Sequence, residues 1–398
     1  MKALPSTDAR NWLNIANIHK NSCQHRQWWF PHWHRLYLLN FEAIIVKLTG
    51  KPDFALPYWA YKDNRVMPST FRLPASSSNP LYTAKRATTV NAGQALPSSA
   101  VSDATAIATL PYVSSSLKVG FGGPAVTAKT IRGPDQGALE RQPHGPVHTA
   151  IGGSTGLMSQ VTVSAQDPIF WMHHCNIDRL IEYWYAKSAG REYPTANTAW
   201  MDEVFTFTDL LGRHVTGKVR DVLYTPALGY QYPLITPRQP PAPSAARVAA
   251  VAEEVAVKRG TARGRTLRAT VEELVVPLTA AAGGGRNLTL QIADVIFLPA
   301  GRGVYFEVYA NLPAGVAPDP EGPQFVGILG AFGNVAEDNP MGNHGHDMGG
   351  PATHAFDLSA AVDPATLDAV TISLVPAPAT PWPDPACPCH ILRFYPSI

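Results

Sequence analysis

Residues 23–42, CQHRQWWFPHWHRLYLLNFE, contain three histidines, three tryptophans, one cysteine and two arginines. A buried core helix does not need so many imidazoles and a surface helix does not need so many tryptophans, so this stretch is a candidate metal site. Proline is tolerated in the first turn of a helix, which predicts that a helix begins near Pro31 and carries His34. His25 then precedes this helix and His19 ends the preceding helical stretch, so the three imidazoles can converge.

A second group of histidines follows further along the chain. In PHGPVHTAIGG, His144 and His148 are four residues apart, which places both rings on one face of a helix. The stretch DPIFWMHHCNIDRL opens with a helix-start signature. Its His174 shares a helical face with Asp178, whereas His173 points about 100° away. Two groups of three histidines are what two metal ions would need.

The type of ligand narrows the choice of metal. An all-imidazole set suits copper, zinc or iron. The carboxylates that bridge the ions of two-metal hydrolases are not interleaved with these histidines. We therefore predict a binuclear metal site and favour copper over zinc. A lone histidine is usually a surface or hydrogen-bonded residue, and this interpretation applies to His32, His173, His214 and His390.

Composition excludes several other classes of function. The chain has 398 residues, of which 45% are hydrophobic, enough for one large domain and a smaller one. A net charge of +2 argues against a nucleic-acid partner, and four cysteines are too few for a disulfide framework. No apolar run is long enough to span a membrane. The start MKALPSTDARNW lacks the apolar stretch of a signal peptide, so the chain as written is expected to be cytoplasmic, with export by an upstream segment left open.

Two regions differ in hydrophobic period. IANIHKNSC, RLYLLNFEAIIVKL and HHCNIDRLIEYWYAK have apolar residues at helical spacing, which predicts a helical domain over 1–235. Residues 236–287 are rich in proline, alanine and glycine and are interpreted as a linker with room for one helix or strand. Over 288–398 the apolar period becomes two, which predicts a β-sandwich. The expected fold is mainly α, a helical bundle with a C-terminal β-sandwich domain.

These motifs resemble a known family. HRQWWFPHWHRLYLLNFE resembles the first copper signature of tyrosinases, catechol oxidases and molluscan haemocyanins, the type 3 copper proteins, and DPIFWMHHCNID resembles the second. The C-terminal part is similar to the lid domain of plant and some bacterial polyphenol oxidases. The resemblance implies two copper ions, dioxygen as the co-substrate and small phenolic substrates that are oxidised to o-quinones. The copper ligands that it implies are His19, His25 and His34 for the first ion and His144, His148 and His174 for the second.

The resemblance also implies roles beside the ligands. Cys23-Gln24-His25 resembles the Cys-X-His in which sulfur is joined to the imidazole by a thioether, and the alternative is a buried free cysteine. Asp178, one turn beyond His174, is expected to anchor a copper-binding imidazole. Glu140 resembles the acidic residue that holds a water over the site as a base, the alternative being a solvated carboxylate at a helix start.

Two further positions bear on the substrate. Strong monophenolases of the family often carry asparagine where this chain has Gly145, so the glycine favours diphenol oxidation over tyrosine hydroxylation. Val161 occupies the place where a phenylalanine covers the second copper in some plant enzymes, and valine leaves that pocket more open. The lid domain of the family inserts a bulky side chain into the pocket, for which VYFEVYANL offers Tyr305, Phe306 and Tyr309.

The leading hypothesis is a polyphenol oxidase that acts on o-diphenols, with weaker monophenol hydroxylation. The alternatives are a tyrosinase with strong monophenolase activity, an oxygen carrier of the haemocyanin type and a zinc hydrolase. Carriers occur as long tandem arrays, and a single unit favours the enzyme. Homo-oligomer formation is left open. The segment KALPSTDARNW is typical of the interior of such a protein, so we expect either that Met1 is not the natural start or that a helix has been lost.

Overall fold

Helices make up the N-terminal part of the chain and strands the C-terminal part. The computed structural model describes residues 1–115, 118–188, 190–238, 265–267, 272–277, 289–297, 303–333, 335, 352–362, 369–377, 389–391 and 393–397. The helices are α1 (Trp12–Ser22), α2 (Phe30–Thr49), α3 (Thr88–Asn91), α4 (Ser98–Val101), α5 (Ala104–Ala108), α6 (Gly145–Gly152), α7 (Ile169–Ala186) and α8 (Thr198–Asp202), with a π-helical turn at Glu140–His144 and 3-10 turns at Ser69–Phe71, Ser164–Gln166, Val219–Val222 and Thr225–Leu228. The expected helical domain is confirmed.

The strands form two small pairs and a sandwich. The small pairs are β1 (Val113–Ser114) with β2 (Gly123–Pro124) and β3 (Val204–Thr208) with β4 (His214–Lys218). The sandwich strands are β5 (Arg265–Leu267), β6 (Glu272–Pro277), β7 (Thr289–Phe297), β8 (Tyr305–Ala310), β9 (Phe325–Gly330), β10 (Ala352–Asp357), β11 (Ala369–Ala377), β12 (Cys389–Ile391) and β13 (Arg393–Ser397). One sheet has the order β6-β11-β8-β9, and the other has the order β10-β7-β12-β5 with β13 also paired to β7. The predicted C-terminal sandwich is confirmed.

The predicted linker over 236–287 is wrong in its second half. Strand β6 pairs antiparallel with β11, and β5 pairs antiparallel with β12, so both belong to the sandwich. The short apolar run of β6, EELVVP, is flanked by alanine, threonine and glycine, which dominated the composition of the window. Pairing with distant strands, which composition cannot show, makes these residues part of a sheet.

Helices α2 and α7 form the centre of the helical domain. Helix α2 contains Pro31 in its first turn, where its missing N–H costs nothing, and ends at Gly50 with a left-handed φ of 65°. The ring of Phe41 on α2 stacks on that of Trp171 on α7, with centroids 3.4 Å apart. Arg35 of α2 is fully buried and donates to Asp178 and Glu182 of α7 at 2.6 and 2.7 Å. These contacts fix the relative position of α2 and α7, which carry histidines of different groups.

Replacing Arg35 with methionine is expected to lower the free energy of unfolding by about 3–5 kcal/mol, because two buried carboxylates lose their cation. The matched control is Arg220→Met, which removes an exposed ion pair with Asp202 and is expected to cost about 0–1 kcal/mol. Urea unfolding of both variants measures the difference. Equal losses would contradict a structural role for the buried pair.

The sandwich packs directly on the helical domain. Its Tyr305, Ile328, Phe332 and Ala377 belong to the same buried apolar cluster as the cores of α2 and α7. A separate cluster that includes Ile292, Val308 and Leu329 fills the space between the two sheets. Among the described residues, no helix has the length and apolarity needed to cross a bilayer.

Candidate metal centre

The first three predicted ligands converge. His19 lies in the last turns of α1, His25 in the segment between the helices and His34 near the start of α2. All three are buried, and their potential ligand atoms lie within 4.8 Å of one another. The short connection between α1 and α2 therefore allows three imidazoles to face one point, as the sequence predicted.

The second group also converges, with one member more than predicted. His144, at the end of the π-helical turn, and His148, one turn later in α6, meet His173 and His174 of α7, again within 4.8 Å. The interpretation of His173 as an ordinary surface or hydrogen-bonded residue is wrong: it is fully buried and has no hydrogen-bond partner among the described residues. Its ring centroid lies 4.7 Å from that of His148. The side chains of consecutive residues leave a helix about 100° apart. His173 can still contact the site because other elements besides α7 surround it.

Three other histidines were predicted to be ordinary residues. His32 is buried rather than on the surface, and its Nδ1 lies 3.0 Å from the hydroxyl of Tyr112, so it is hydrogen-bonded. His214 is exposed on β4, as expected. The side chain of His390 lies outside the described part of the structure.

Main-chain carbonyls orient the clustered rings. Nδ1 of His19 lies 3.0 Å from the carbonyl oxygen of Val161, and Nδ1 of His148 lies 2.7 Å from that of Met158. Nδ1 of His34 lies 2.8 Å from the carbonyl oxygen one turn earlier in α2. Because a carbonyl oxygen only accepts, Nδ1 must carry the hydrogen and the lone pair is left on Nε2. This is how proteins fix an imidazole for metal binding.

The remaining ring nitrogens fit metal ions. Within the described structure, Nε2 of His19, His25 and His34 are buried without a hydrogen-bond partner, as is Nε2 of His144. Leaving one such group unsatisfied costs about 1–3 kcal/mol, so this many at one place indicates a ligand. Metal–nitrogen bonds of about 2.0 Å place two ligand nitrogens on one ion roughly 3 Å apart, and Nε2 of His148 and His174 are 3.4 Å apart.

Electrostatics keep the imidazoles ready to bind a cation. Burial, the largest cause, lowers the pKa of every histidine of the two clusters, and it lowers that of His34 to about 3. The rings are therefore neutral at physiological pH, which is the metal-binding form. Within the described residues, the metal-ligating clusters contain histidine alone, which suits copper better than magnesium or calcium.

The role predicted for Asp178 is wrong. Its carboxylate accepts hydrogen bonds from Arg35, Tyr230 and Tyr232 and not from an imidazole. The four-residue spacing from His174 correctly placed Asp178 one turn away on α7, but its side chain faces α2 and the segment after the 3-10 turns. Asp178 therefore stabilises the packing of the helices that carry the histidines.

Cys23 and Glu140 lie beside the clusters. The sulfur of Cys23, which is buried, is 3.1 Å from Nδ1 of His25. Glu140 is buried, which excludes the solvated alternative, and its Oε2 accepts from the main-chain N–H of Arg26 at 2.7 Å. Burial raises the pKa of the Glu140 carboxyl to about 8. A buried carboxyl at the start of the turn that ends in His144 is suited to exchanging protons near the site.

The two positions expected to affect the substrate lie at opposite clusters. A Cβ at Gly145 would be 3.3 Å from the carbonyl oxygen of Glu140 and 3.7 Å from Cβ of Phe332. The carbonyl of Val161 contacts His19, a member of the first cluster. That the valine side chain leaves the second metal open stays a prediction.

The side chain that covers the histidines is Phe332, which sequence reasoning missed. Its ring stacks on that of His148 with centroids 4.0 Å apart and 17° between the planes, and it lies 5.3 Å from that of His144. The Phe332 carbonyl accepts from the side-chain amide of Gln136 at 3.3 Å. The signal in the sequence was an aromatic residue directly before Gly333, at the end of the apolar run FVGILGAF. Gly333 has a φ of 73°, so the chain turns at this point and presents the ring.

The three residues proposed for this role contact other groups. The hydroxyl of Tyr305 lies 2.9 Å from that of Ser99 in the helical domain. Phe306 belongs to the core of the sandwich, and Tyr309 donates to Glu307 at 2.6 Å. The expectation that VYFEVYANL supplies the covering side chain is therefore wrong, because two of these side chains bond to Ser99 and Glu307 and the third lies in the sandwich core.

Fold and site together define a binuclear metalloprotein with an all-histidine centre and a sandwich domain over it. The model of the common central domain of tyrosinase matches residues 9–187, and that of the polyphenol oxidase middle domain matches residues 195–238. The chain belongs to the tyrosinase and polyphenol oxidase family. It is accordingly a copper-dependent oxidoreductase with a type 3 copper centre.

Relatives support this assignment. The chain is 34% identical over 342 residues to the tyrosinase HcTyr1 of Hahella sp. (strain CCB-MM4). The alignment covers 79% of this chain and 70% of the relative. It is 32% identical over 300 residues to a chloroplastic polyphenol oxidase of Malus domestica, covering 66% of this chain and 49% of the relative. The chain thus spans about half the length of the apple relative that it matches.

Solved structures show the same fold. Latent apple tyrosinase matches with a TM-score of 0.69 at 23% identity, covering 99% of this chain and 91% of that chain. The polyphenol oxidase of Grenache (Vitis vinifera) matches with a TM-score of 0.50 at 33% identity, covering 59% of this chain and 78% of that chain. The first match extends over both the helical domain and the sandwich.

Proposed function

We propose that the chain oxidises o-diphenols to o-quinones with dioxygen as the co-substrate. The observation that carries the proposal is the pair of buried histidine clusters, in which Nε2 of His19, His25, His34 and His144 has no hydrogen-bond partner in the described structure. When bound there, two copper ions supply the electron-transfer chemistry. In the overall reaction each of two diphenols loses two electrons and two protons, and these four electrons and four protons reduce one dioxygen to two waters.

The chain's own residues hold the site and move protons. The carbonyls that accept from His19, His34 and His148 fix the rings, so little reorganisation is needed when the ions bind. Glu140 exchanges protons with the phenol through a water, because burial brings the pKa of its carboxyl near the working pH. The apolar surroundings of the clusters exclude bulk water from the reacting ring.

Phe332 makes the intact chain latent in this proposal. Its ring lies against His148 and His144, where a phenol ring would have to lie to reach the second metal. Phe332, the residue that blocks the site, comes from the sandwich domain, so displacement or removal of that domain opens the site. The sandwich thus regulates the helical domain and has no separate catalytic role.

Diphenols are expected to be oxidised faster than monophenols. With no side chain at Gly145, a water beside Glu140 has one fewer partner and takes a phenol proton less readily. In a Phe332→Ala background, Gly145→Asn is expected to raise the rate on tyrosol several-fold, since one oriented hydrogen bond contributes about 1 kcal/mol. Steady-state rates on tyrosol and 4-methylcatechol measure both activities, and a copper chelator should abolish them.

Two variants serve as controls for this prediction. Gly145→Ala adds the Cβ without an amide and should leave the ratio of the two rates unchanged. Glu140→Gln removes the proton acceptor and is expected to lower tyrosol hydroxylation by about 10²-fold or more, with a smaller loss on the catechol. A parent enzyme that hydroxylates tyrosol as fast as it oxidises 4-methylcatechol would refute the role given to Gly145.

We also propose that Cys23 and His25 are joined by a thioether in the mature enzyme. The bond between sulfur and a ring carbon replaces one S–H and one C–H bond, and the two electrons and two protons released pass to dioxygen. The distance of 3.1 Å between sulfur and Nδ1 supports this, because a ring carbon bonded to Nδ1 is within reach. The cross-link would fix the ring of His25 and remove a thiol.

Peptide mass spectrometry tests the thioether. The peptide with Cys23 and His25 is expected to weigh two hydrogen atoms less than its sequence and to resist alkylation after unfolding. The internal control is Cys175, also buried and free, which should be alkylated. Alkylation of both cysteines in copper-loaded protein would refute the cross-link.

A further inference from the structure

Arg26, the residue directly after His25, has a backbone conformation that arginine rarely adopts. Its φ is 59°, in the left-handed region that favours glycine, and only 3% of its surface is exposed. The other non-glycine residues with positive φ in the described structure are Ser188, Leu234 and Asn311, and none of these is buried. Strain of this kind persists only where the surrounding structure imposes it, and it is common at functional sites.

The segment from Gly133 to Asp135 holds Arg26 in this conformation. The carbonyl oxygen of His25 accepts from the main-chain N–H of Gly133 at 2.7 Å. The carbonyl oxygen of Arg26 accepts from the N–H of Asp135 at 3.3 Å, and its guanidinium Nη2 donates to the carbonyl oxygen of Pro134 at 2.5 Å. A Cβ at Gly133 would lie 2.2 Å from the Arg26 carbonyl oxygen, so this close approach requires glycine. Contacts to both the main chain and the side chain thus offset the strain.

The left-handed turn directs the main-chain N–H of Arg26 at Glu140. The distance from this nitrogen to Oε2 of Glu140 is 2.7 Å. Among the described residues, this N–H is the single hydrogen-bond donor to the Glu140 carboxyl, so the other oxygen, Oε1, is left for a water. A donor that is fixed by the main chain holds a buried carboxyl in one orientation. Such orientation matters because a misplacement of about 1 Å can cost roughly 10²-fold in rate.

We propose that Arg26 is a positioning residue for the reaction. Its left-handed main chain holds Oε2 of Glu140 and thereby points Oε1 at the water that exchanges protons with the phenol. This role rests on the proton exchange proposed above for Glu140. The effect belongs to the backbone conformation of Arg26 and not to its charge, because the hydrogen bond of the guanidinium goes to Pro134.

Substitutions that differ in their tolerance of the left-handed conformation test this role, in the Phe332→Ala background where the site is open. Arg26→Asn and Arg26→Val form the matched pair: both keep the N–H, lose the charge and have side chains of similar size. Asparagine accepts the conformation, whereas β-branched valine resists it. We expect the valine variant to hydroxylate tyrosol about 10-fold or more slowly, with a smaller loss on 4-methylcatechol. Arg26→Asn and Arg26→Gly should restore most of the rate.

Ser188→Val is the control for backbone strain alone. Ser188 has a φ of 54° and is exposed beyond the end of α7, roughly 20 Å along the helix from His174. This variant should lose thermal stability as Arg26→Val does but keep the parent's rates. All variants should also keep the parent's copper content. Loss of a copper ion from Arg26→Val would assign Arg26 to the support of His25 and would overturn the proposal.

Infrared difference spectra supply a readout that is independent of copper. Subtracting the spectrum of each variant's Glu140→Gln counterpart isolates the band of the Glu140 carboxyl in the metal-free chain. This band should shift in Arg26→Val and stay in place in Arg26→Asn, because only the valine variant loses the hydrogen bond. Arg26→Ala should give a smaller shift in the same direction, and it replaces the valine variant if that variant does not fold.

Two results would show that Arg26 does not position the carboxyl. One is an Arg26→Val variant with the parent's rates and an unshifted Glu140 band. The other is a set of glycine and asparagine variants that are as slow as the valine variant, which would assign the effect to the arginine side chain. A failure of the proposed function is distinct from both, since Glu140→Gln alone would then hydroxylate tyrosol as fast as the parent.

Discussion

Replacing Phe332 with alanine is expected to raise the rate of 4-methylcatechol oxidation by the intact chain by roughly 10- to 100-fold. The ring stacks on His148 and occupies the approach to the second cluster. In a latent protein whose open state is about 1–10% populated, the apparent activity is reduced to that fraction of its full value. The alanine variant opens the approach without removal of the sandwich. Initial rates of quinone formation, at equal copper content, measure the gain.

The matched control is Phe325→Ala on the same stretch of the sandwich. Phe325 packs against Tyr309 and makes no ring contact with a histidine among the described residues. The same loss of aromatic volume should therefore leave the chain latent. If Phe332→Ala is as inactive as the parent, or if the control is activated equally, the ring of Phe332 does not block the site.

Replacing His174 with alanine is expected to abolish activity and to remove the second metal ion. In the proposed assignment His144, His148 and His174 would hold that ion, and Nε2 of His174 lies 3.4 Å from Nε2 of His148. Loss of a residue that only supports a ligand costs about 10- to 100-fold in affinity or activity, so loss of a ligand should cost more. Metal analysis and catechol oxidation in the Phe332→Ala background provide the two readouts.

His173→Ala is the matched control, since it removes the neighbouring imidazole from the same cluster. It should retain the second ion and most of the activity, because the family pattern assigns the ligand to His174. A cooperative thermal unfolding transition must show that both variants are folded. Loss of the ion in the His173 variant with retention in the His174 variant would reverse the ligand assignment.

The helices that carry the site could be predicted from the sequence because their signals are local. Apolar periodicity predicted α1, α2 and α7, and the position of Pro31 predicted the start of α2. Spacing within these helices then brought the histidines to one side. The β-sandwich followed from the change of period after residue 288.

What the sequence could not show depends on contacts between distant segments. Burial of His173 needs α6 and α7 to close around it, and the partners of Asp178 come from α2 and from Tyr230 and Tyr232. Phe332 reaches His148 through the docking of a second domain, which no local pattern reports. Strand β6 was hidden because pairing with β11, rather than its own composition, makes it part of a sheet.

The copper content of the full-length protein tests the central claim most directly. Metal analysis of the purified chain should give two copper ions per chain, and His34→Ala and His174→Ala should each remove one ion while the other cluster keeps its own. Two copper ions that depend separately on the two clusters are the predicted result. A single ion, or zinc at both clusters after loading with copper, would contradict the account.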